Sequence, residues 1–273
     1  MSNDWDKQQG AGPGTRWKEI GFRSELWISV VMSWGKDKKL ARFPFWHLDL
    51  NCGTGRNDKV DCDGSPIEFL KIMDETGRLY CAAFCDKAKA RCKKALKRRV
   101  RKMGHPRDGC SIRYWWHTNQ TVIGAWAREI RKRENPNYAV GTILSDPNGP
   151  SRHSFPLAEI AQFAAKFPRI DVMLNINMDV MKRCRVAWLN QKKKRDSKVA
   201  DFVKGMGLWP ACTIQGIVDL IPRSHWTIRK PFRSGYNYTI LVGRNKSSGQ
   251  WKRLHFYPLD SSVGRSIVKK ADA

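Results

Sequence analysis

The stretch from Phe45 to Asn57, Phe-Trp-His-Leu-Asp-Leu-Asn-Cys-Gly-Thr-Gly-Arg-Asn, constrains the chain more than any other. Its aromatic and apolar run to Leu50 reads as a short buried strand, and Gly53-Thr54-Gly55 breaks that strand into a turn. Asp49 stands at the strand's end, four positions before the first glycine. In α/β folds, strand, carboxylate and glycine turn in that order build a nucleotide-type cofactor site. The glycines let backbone approach the ligand, and the strand's carboxyl end opens into a crevice. The spacing excludes two versions of such a site. No third glycine completes Gly-x-Gly-x-x-Gly, so the dinucleotide fingerprint is incomplete, and no Gly-Lys-Ser/Thr follows, so the turn is not a P-loop.

Period and punctuation place the other elements. Residues 1–15 are polar and are expected to be disordered. Residues 24–34 read as a helix capped by Ser24 and ended by Gly35, with a basic loop from Lys36 to Arg42. After a polar loop, Ser65-Pro66-Ile67-Glu68 opens a helix, with Ser65 as N-cap, Pro66 in the first turn and Glu68 three beyond the cap. Further strands are expected at 79–84, 111–116, 138–144 and 171–176, and helices at 87–102, 121–133 and 156–167. A short helix at 213–221, an antiparallel pair at 226–230 and 236–243, and a strand at 251–256 close the chain. Alternating strands and helices imply a parallel sheet covered on both faces. The 273 residues suit one large α/β domain. We divide them into a disordered N-terminus (1–15), the α/β domain (16–245) and a basic C-terminal extension (246–273).

Charge narrows the partner. Lys and Arg number 51 against 25 acids, a net +26. That imbalance points to a polyanion, nucleic acid before an anionic membrane surface. The helix at 87–102 is densely basic and lacks the acids that a solvated helix uses for i,i+4 pairs. With the helix end at 128–133 and the run at 192–195, it supplies the candidate nucleic-acid contacts Lys94, Arg98, Arg131, Lys192, Lys193, Lys194 and Arg195. Some of the twelve Trp beside such runs suit base stacking. The eight Cys form no Cys-x-x-Cys and no zinc-like cluster, so no metal is expected. No secretory signal and no apolar run of membrane-spanning length is read, which gives a reduced, cytoplasmic protein with no membrane partner.

The hydrophobic-Asp-x-x-x-Gly-x-Gly pattern resembles motif I of S-adenosylmethionine (SAM)-dependent methyltransferases. With the strand count and the terminal antiparallel pair, this implies the Rossmann-like, seven-stranded methyltransferase fold and SAM as cofactor. On that reading Asp49, Asn51, Gly53, Gly55 and Asn57 form the cofactor side, with the two glycines under the methionine part. Asp86, at the second strand's end, accepts from the ribose hydroxyls, and His117 or Asn119 lies near the adenine. Asp146-Pro147-Asn148-Gly149 follows the fourth strand. It resembles the Asp/Asn-Pro-Pro-aromatic motif of methyltransferases acting on nucleobase amines, which supplies two oxygen acceptors and a stacking ring. Asp146, Pro147 and Asn148 are therefore the candidate catalytic residues, with Phe155 as the substitute ring. The same four residues are also good β-turn chemistry.

Leu48-Asp-Leu-Asn-Cys-Gly-Thr-Gly-Arg-Asn57, then Gly64-Ser-Pro66 opening a helix, then Asp146-Pro-Asn-Gly149, is similar in order to the three-Cys-motif partner family. Those are SAM-dependent methyltransferases of bacteria and mobile elements, and the resemblance spans about residues 24–243. Asn51 and Cys52 replace Phe-Ala of that pattern, Thr54 replaces Pro, and Asn148 replaces Tyr. That family's substrate is poorly defined, so the resemblance implies SAM as cofactor more than it implies a reaction, and it adds a protein partner of the three-Cys type. With the basic charge and the Asp146-Pro147-Asn148 motif, the leading reading is a SAM-dependent methyltransferase acting on DNA or RNA, at an adenine amine. Two alternatives stay open: a non-catalytic nucleic-acid-binding protein that retains the fold, and a methyltransferase for another substrate.

Overall fold

The computed structural model describes residues 14–33, 43–57, 61–86, 90–146, 155–179, 181–182, 185–186, 213–231, 238–245 and 255–272. Its centre is β1 (Phe45–Asp49), which pairs in parallel with β4 (Tyr80–Cys85) on one side and β6 (Gly141–Ser145) on the other. β5 (Ser111–Trp115) extends the sheet beyond β4, and β7 (Ile170–Asn177) extends it beyond β6, both in parallel. β9 (Tyr238–Arg244) runs antiparallel to β7, and β8 (His225–Arg229) antiparallel to β9. The expected seven-stranded order is therefore present. An eighth strand, β10 (Phe256–Pro258), adds to the β8 edge, giving β10-β8-β9-β7-β6-β1-β4-β5.

All five residues of β1 are buried, as a strand covered on both faces requires. Alternation sends Trp46 and Leu48 into one layer and Phe45 into the other. The first layer holds α4 (Asn119–Arg133), α5 (Leu157–Lys166), α6 (Ile214–Leu220) and α7 (Ser262–Asp272); the second holds α1 (Gly14–Met32), α2 (Ser65–Thr76) and α3 (Ala90–Lys102). Polar groups of the core are placed with the same economy. Trp46 Nε1 donates to Glu134 Oε2 at 2.6 Å. His47 sits against Thr142 Oγ1 at 2.7 Å and stacks on Phe69 at 4.1 Å between ring centres. Burial pushes its pKa down to about 3, so it packs as a neutral ring.

Four expectations change. The first helix begins at Gly14, ten residues before Ser24. Tertiary contacts override its weak start. Arg229 lies 4.0 Å over the Trp17 ring and donates to the Trp17 carbonyl at 2.6 Å. Further along, Arg244 spans Glu25 Oε2 (2.6 Å) and Asp171 Oδ2 (2.7 Å), and Ser29 also donates to Asp171. Second, Gly64 and not Ser65 is the N-cap of α2; the Ser65 hydroxyl is taken by Asp49, and Pro66 keeps its first-turn place. Third, the polar loop after Asn57 carries a small hairpin, β2 (Arg56–Asn57) with β3 (Cys62–Asp63). Fourth, the tail is no separate extension. β10 joins the sheet, and Asp272 of α7 accepts from the backbone N–H of Ile214 and Gln215 at the start of α6. Apolar Phe256, Ile267 and Ala271 bury themselves in that docking. Among the described residues, Cys52, Cys62, Cys81, Cys85 and Cys110 are free thiols, and no helix is long and apolar enough to cross a membrane.

Candidate active site

β1 lies at the sheet's switch point. After β1 the chain builds outward on one side through β4 and β5, then crosses back to lay β6 on the other side of β1, so the crevice opens at the carboxyl ends of β1, β4 and β6. The glycine turn fills one wall. Gly53 and Gly55 have φ of 57° and 75°, the left-handed region that glycine enters without a Cβ clash. Their surroundings differ. A Cβ on Gly55 would meet Leu96 Cδ1 at 2.7 Å and Ile67 Cγ1 at 3.1 Å, so Gly55 backs onto α3 and α2. Among the described residues, a Cβ on Gly53 would have only Asp86 Oδ2 within reach, at 4.0 Å, so none of them crowds this face of the turn.

The turn is held from three sides. Gly53 N–H donates to Asp86 Oδ2 at 2.7 Å. Arg99 of α3 donates to the Thr54 carbonyl at 2.8 Å, and Gly64 N–H to the Gly55 carbonyl at 2.8 Å. Asp49 supports it from beneath: fully buried, it accepts from Asn51 N–H (3.0 Å) and Ser65 Oγ (2.6 Å). Burial pushes its pKa up to about 7, against both hydrogen bonds and with the repulsion of Asp146 and Asp86.

Across the crevice stands Asp146, after β6. Asn51 Oδ1 accepts from Asp146 N–H at 3.0 Å and from Ser145 Oγ at 3.4 Å, clasping the ends of β1 and β6. The Asp146 carboxylate accepts from Asn175 Nδ2 of β7 at 2.6 Å and from Lys18 Nζ of α1 at 2.5 Å. Burial is the strongest single influence and works against the Lys18 charge, but Asp146 and Glu19 together outweigh it and raise the ammonium's pKa above its ordinary value. Beside it Glu19 keeps one oxygen, Oε2, buried with no hydrogen-bond partner among the described residues. Burial drives its pKa up to about 8; Lys18 opposes the rise, and Asp146, Asp49 and Glu68 add to it. Carboxylates of four elements thus converge here, in a chain that is elsewhere strongly basic.

The structure brings Asp49, Asn51, Gly53, Gly55, Asp86 and Asp146 together. Asn119 opens α4 just behind, buried, with its Oδ1 taking the Cys85 thiol at 3.3 Å. Asn57 stands apart in the hairpin, and His117 is exposed. Pro147, Asn148 and the run Lys192–Arg195 lie outside the described residues. Phe155 is buried in the core, so it offers no exposed ring. Lys94 and Arg98 are exposed on α3, and Arg131 in the last turn of α4. Lys93 and Lys97 lie over the rings of Trp116 and Tyr114 at 5.7 and 5.1 Å. This basic face flanks the edge strand β5, whose carboxyl end leads to the crevice through Asp86 N–H on the Trp115 carbonyl at 3.2 Å. Sequence reading missed Lys18, Glu19, Arg99 and Asn175, which carry no local motif.

No protein-family model and no curated protein matches the chain. Solved structures of similar shape include a Legionella pneumophila protein of family DUF519, with 12% identity, TM-score 0.49, and 87% of this chain and 86% of that one covered. Others are human methyltransferase 10 domain containing protein (12%, TM-score 0.43, covering 84% of each chain) and the METTL16 MTase domain (10%, TM-score 0.42, covering 85% of this chain and 68% of that one). At such values no residue's role passes from them to this chain.

Proposed function

We propose that this chain is a SAM-dependent methyltransferase acting on nucleic acid, at an exocyclic amine such as that of adenine. The observation that carries the reading is the glycine turn at the switch point, open at Gly53, hooked to Asp86 and facing Asp146 across the crevice. The residues fit the cofactor. Gly53 leaves room for a ligand against backbone, Asp86 stands at the strand end suited to ribose hydroxyls, and the acidic crevice suits a ligand with ammonium and sulfonium charges. When bound, SAM supplies an electrophilic methyl group whose sulfur leaves without acid assistance.

The chain's own work is positioning. Asp146 accepts a hydrogen bond from the target amine and aims its nitrogen; Lys18 and Asn175 fix the carboxylate for that task. Each carboxylate oxygen can take a second donor, so these contacts leave capacity for substrate. The exposed stripe of Lys94 and Arg98, with Arg131, holds phosphates without sequence preference. The likeness to the three-Cys-motif partner family, a protein partner of that type and a cytoplasmic setting belong to the same proposal.

Labelled SAM is offered with mixed DNA and RNA, and the products are digested to nucleosides. Wild type should place label on a base amine. Asp146→Ala should bind SAM with nearly wild-type affinity yet transfer about a hundredfold more slowly, as expected for one lost positioning contact. Equal rates would remove Asp146 from the reaction. The alternative, a nucleic-acid-binding protein without catalysis, draws on the engagement of both Asp146 oxygens by Lys18 and Asn175. It gains if wild type binds SAM and nucleic acid but labels neither polymer.

A further inference from the structure

Glu19 has no part in the proposal above, yet its setting is unusual. It lies on α1, which Arg229 and Arg244 staple across the sheet. Its Oε2 is buried and has no hydrogen-bond partner among the described residues, a costly state for a carboxyl. Among the described residues, the groups that face it are Lys18 on its own helix, Asp49 on β1, Cys62 on β3, Glu68 on α2 and Asp146 just after β6. Lys18, the nearest cation, is held by Asp146 with a hydrogen bond at 2.5 Å. An added anion would deepen the repulsion among these acids. A neutral hydroxyl would satisfy the oxygen and leave the repulsion unanswered. A cationic N–H donor does both.

We infer that Glu19 is a ligand-contacting carboxyl of this site that takes the ammonium of the ligand's amino-acid end and releases its own proton to solvent as it does so. The inference rests on the SAM reading. In the free protein Glu19, with a pKa of about 8, holds its proton at neutral pH. Salt-bridging to an ammonium favours the carboxylate, so binding and proton release are linked. The proton goes to buffer, and no covalent bond to the ligand forms or breaks.

Two probes separate the ligand's parts. S-adenosylhomocysteine keeps the amino-acid ammonium; 5′-methylthioadenosine lacks it. Each is titrated calorimetrically into the full chain at pH 7 in phosphate and in Tris, whose different ionisation heats report protons released. For the homocysteine compound about one proton should leave per ligand bound, and for methylthioadenosine almost none. Glu19→Gln should abolish the release and weaken S-adenosylhomocysteine about ten- to a hundredfold, as for a lost charge-assisted hydrogen bond. It should leave methylthioadenosine binding unchanged, which also reports that the variant is folded. Tight binding of S-adenosylhomocysteine without proton release overturns the role of Glu19 and leaves the cofactor reading standing. Release with methylthioadenosine overturns the ammonium assignment. Absence of heat with both compounds overturns the cofactor reading and the inference together. If the variant fails to fold, the wild-type proton count decides alone.

Discussion

Gly53 and Gly55 share a backbone conformation but not a neighbourhood, so the same substitution should separate stability from binding. Alanine at either position carries the left-handed penalty, about 1–2 kcal/mol. At Gly55 the new methyl also lands 2.7 Å from Leu96 Cδ1 and 3.1 Å from Ile67 Cγ1. Such overpacking adds about 1–3 kcal/mol. Gly55→Ala should therefore cost about 2–5 kcal/mol and lower Tm by on the order of 10 °C in a domain of this size. Among the described residues Gly53→Ala meets nothing closer than Asp86 Oδ2 at 4.0 Å, so it should lose only the conformational share. Its methyl occupies the open side of the turn, so S-adenosylhomocysteine affinity should fall at least tenfold. Thermal melts followed by circular dichroism, with calorimetric titration below each Tm, measure both quantities. The reasoning fails if Gly53→Ala melts as low as Gly55→Ala, or if it binds the ligand as tightly as wild type.

Arg244→Met strands Glu25 and Asp171 without their cation, and urea unfolding should register a loss of about 3–5 kcal/mol. A loss below about 1 kcal/mol would assign the docking of α1 to apolar packing alone. The folded protein keeps protons on Glu19 and Asp49 up to about pH 8 and 7, whereas the unfolded chain loses them near 4.5 and 3.8. The unfolded state thus binds fewer protons in that window, so stability should fall as pH rises from about 5 to 7, by about 1.4 kcal/mol per pH unit per proton. Glu19→Gln and Asp49→Asn should each flatten the fall, and a wild-type curve that is level across the window would reject both placements. Reversing Lys94 and Arg98 to Glu should weaken oligonucleotides of every sequence alike. It should also shallow the slope of log affinity against log salt by roughly 0.7–0.9 per lost phosphate contact; an unchanged slope would return this stripe to solvent.

What was legible in the sequence is what chain chemistry fixes locally. β1, the glycine turn, Asp86 after β4 and Asp146 after β6 follow from strand runs broken by residues that cannot continue them, and the structure aligns their ends by register alone. Ser65 shows where local reading stops. Ser-Pro-Ile-Glu is sound capping chemistry, yet Gly64 caps the helix, because the Ser65 hydroxyl has a better acceptor in the buried Asp49. Of the strand expected at 251–256, residues 251–254 lie outside the described residues; β10 forms where it can pair with β8, at Phe256–Pro258.

Lys18 and Glu19 were invisible for a further reason. Lys18 meets Asp146 across 128 positions, and the helix that delivers it starts in a weakly helical segment. The distant Arg229 and Arg244, with the burial of Phe22, Leu26 and Val30 in the core, hold that helix there. The same contacts change what Asp146 can be. In a bare Asp-Pro-Asn-Gly turn its carboxylate would cap local backbone. Here the carboxylate is spent on Lys18 and Asn175, and Asn51 takes the Asp146 N–H. Lys18 of α1 and Asn175 of β7 therefore fix the carboxylate's direction while Asn51, just after β1, holds its backbone, and a turn residue needs none of them. A carboxylate so constrained at the switch point suits the positioning role proposed for Asp146.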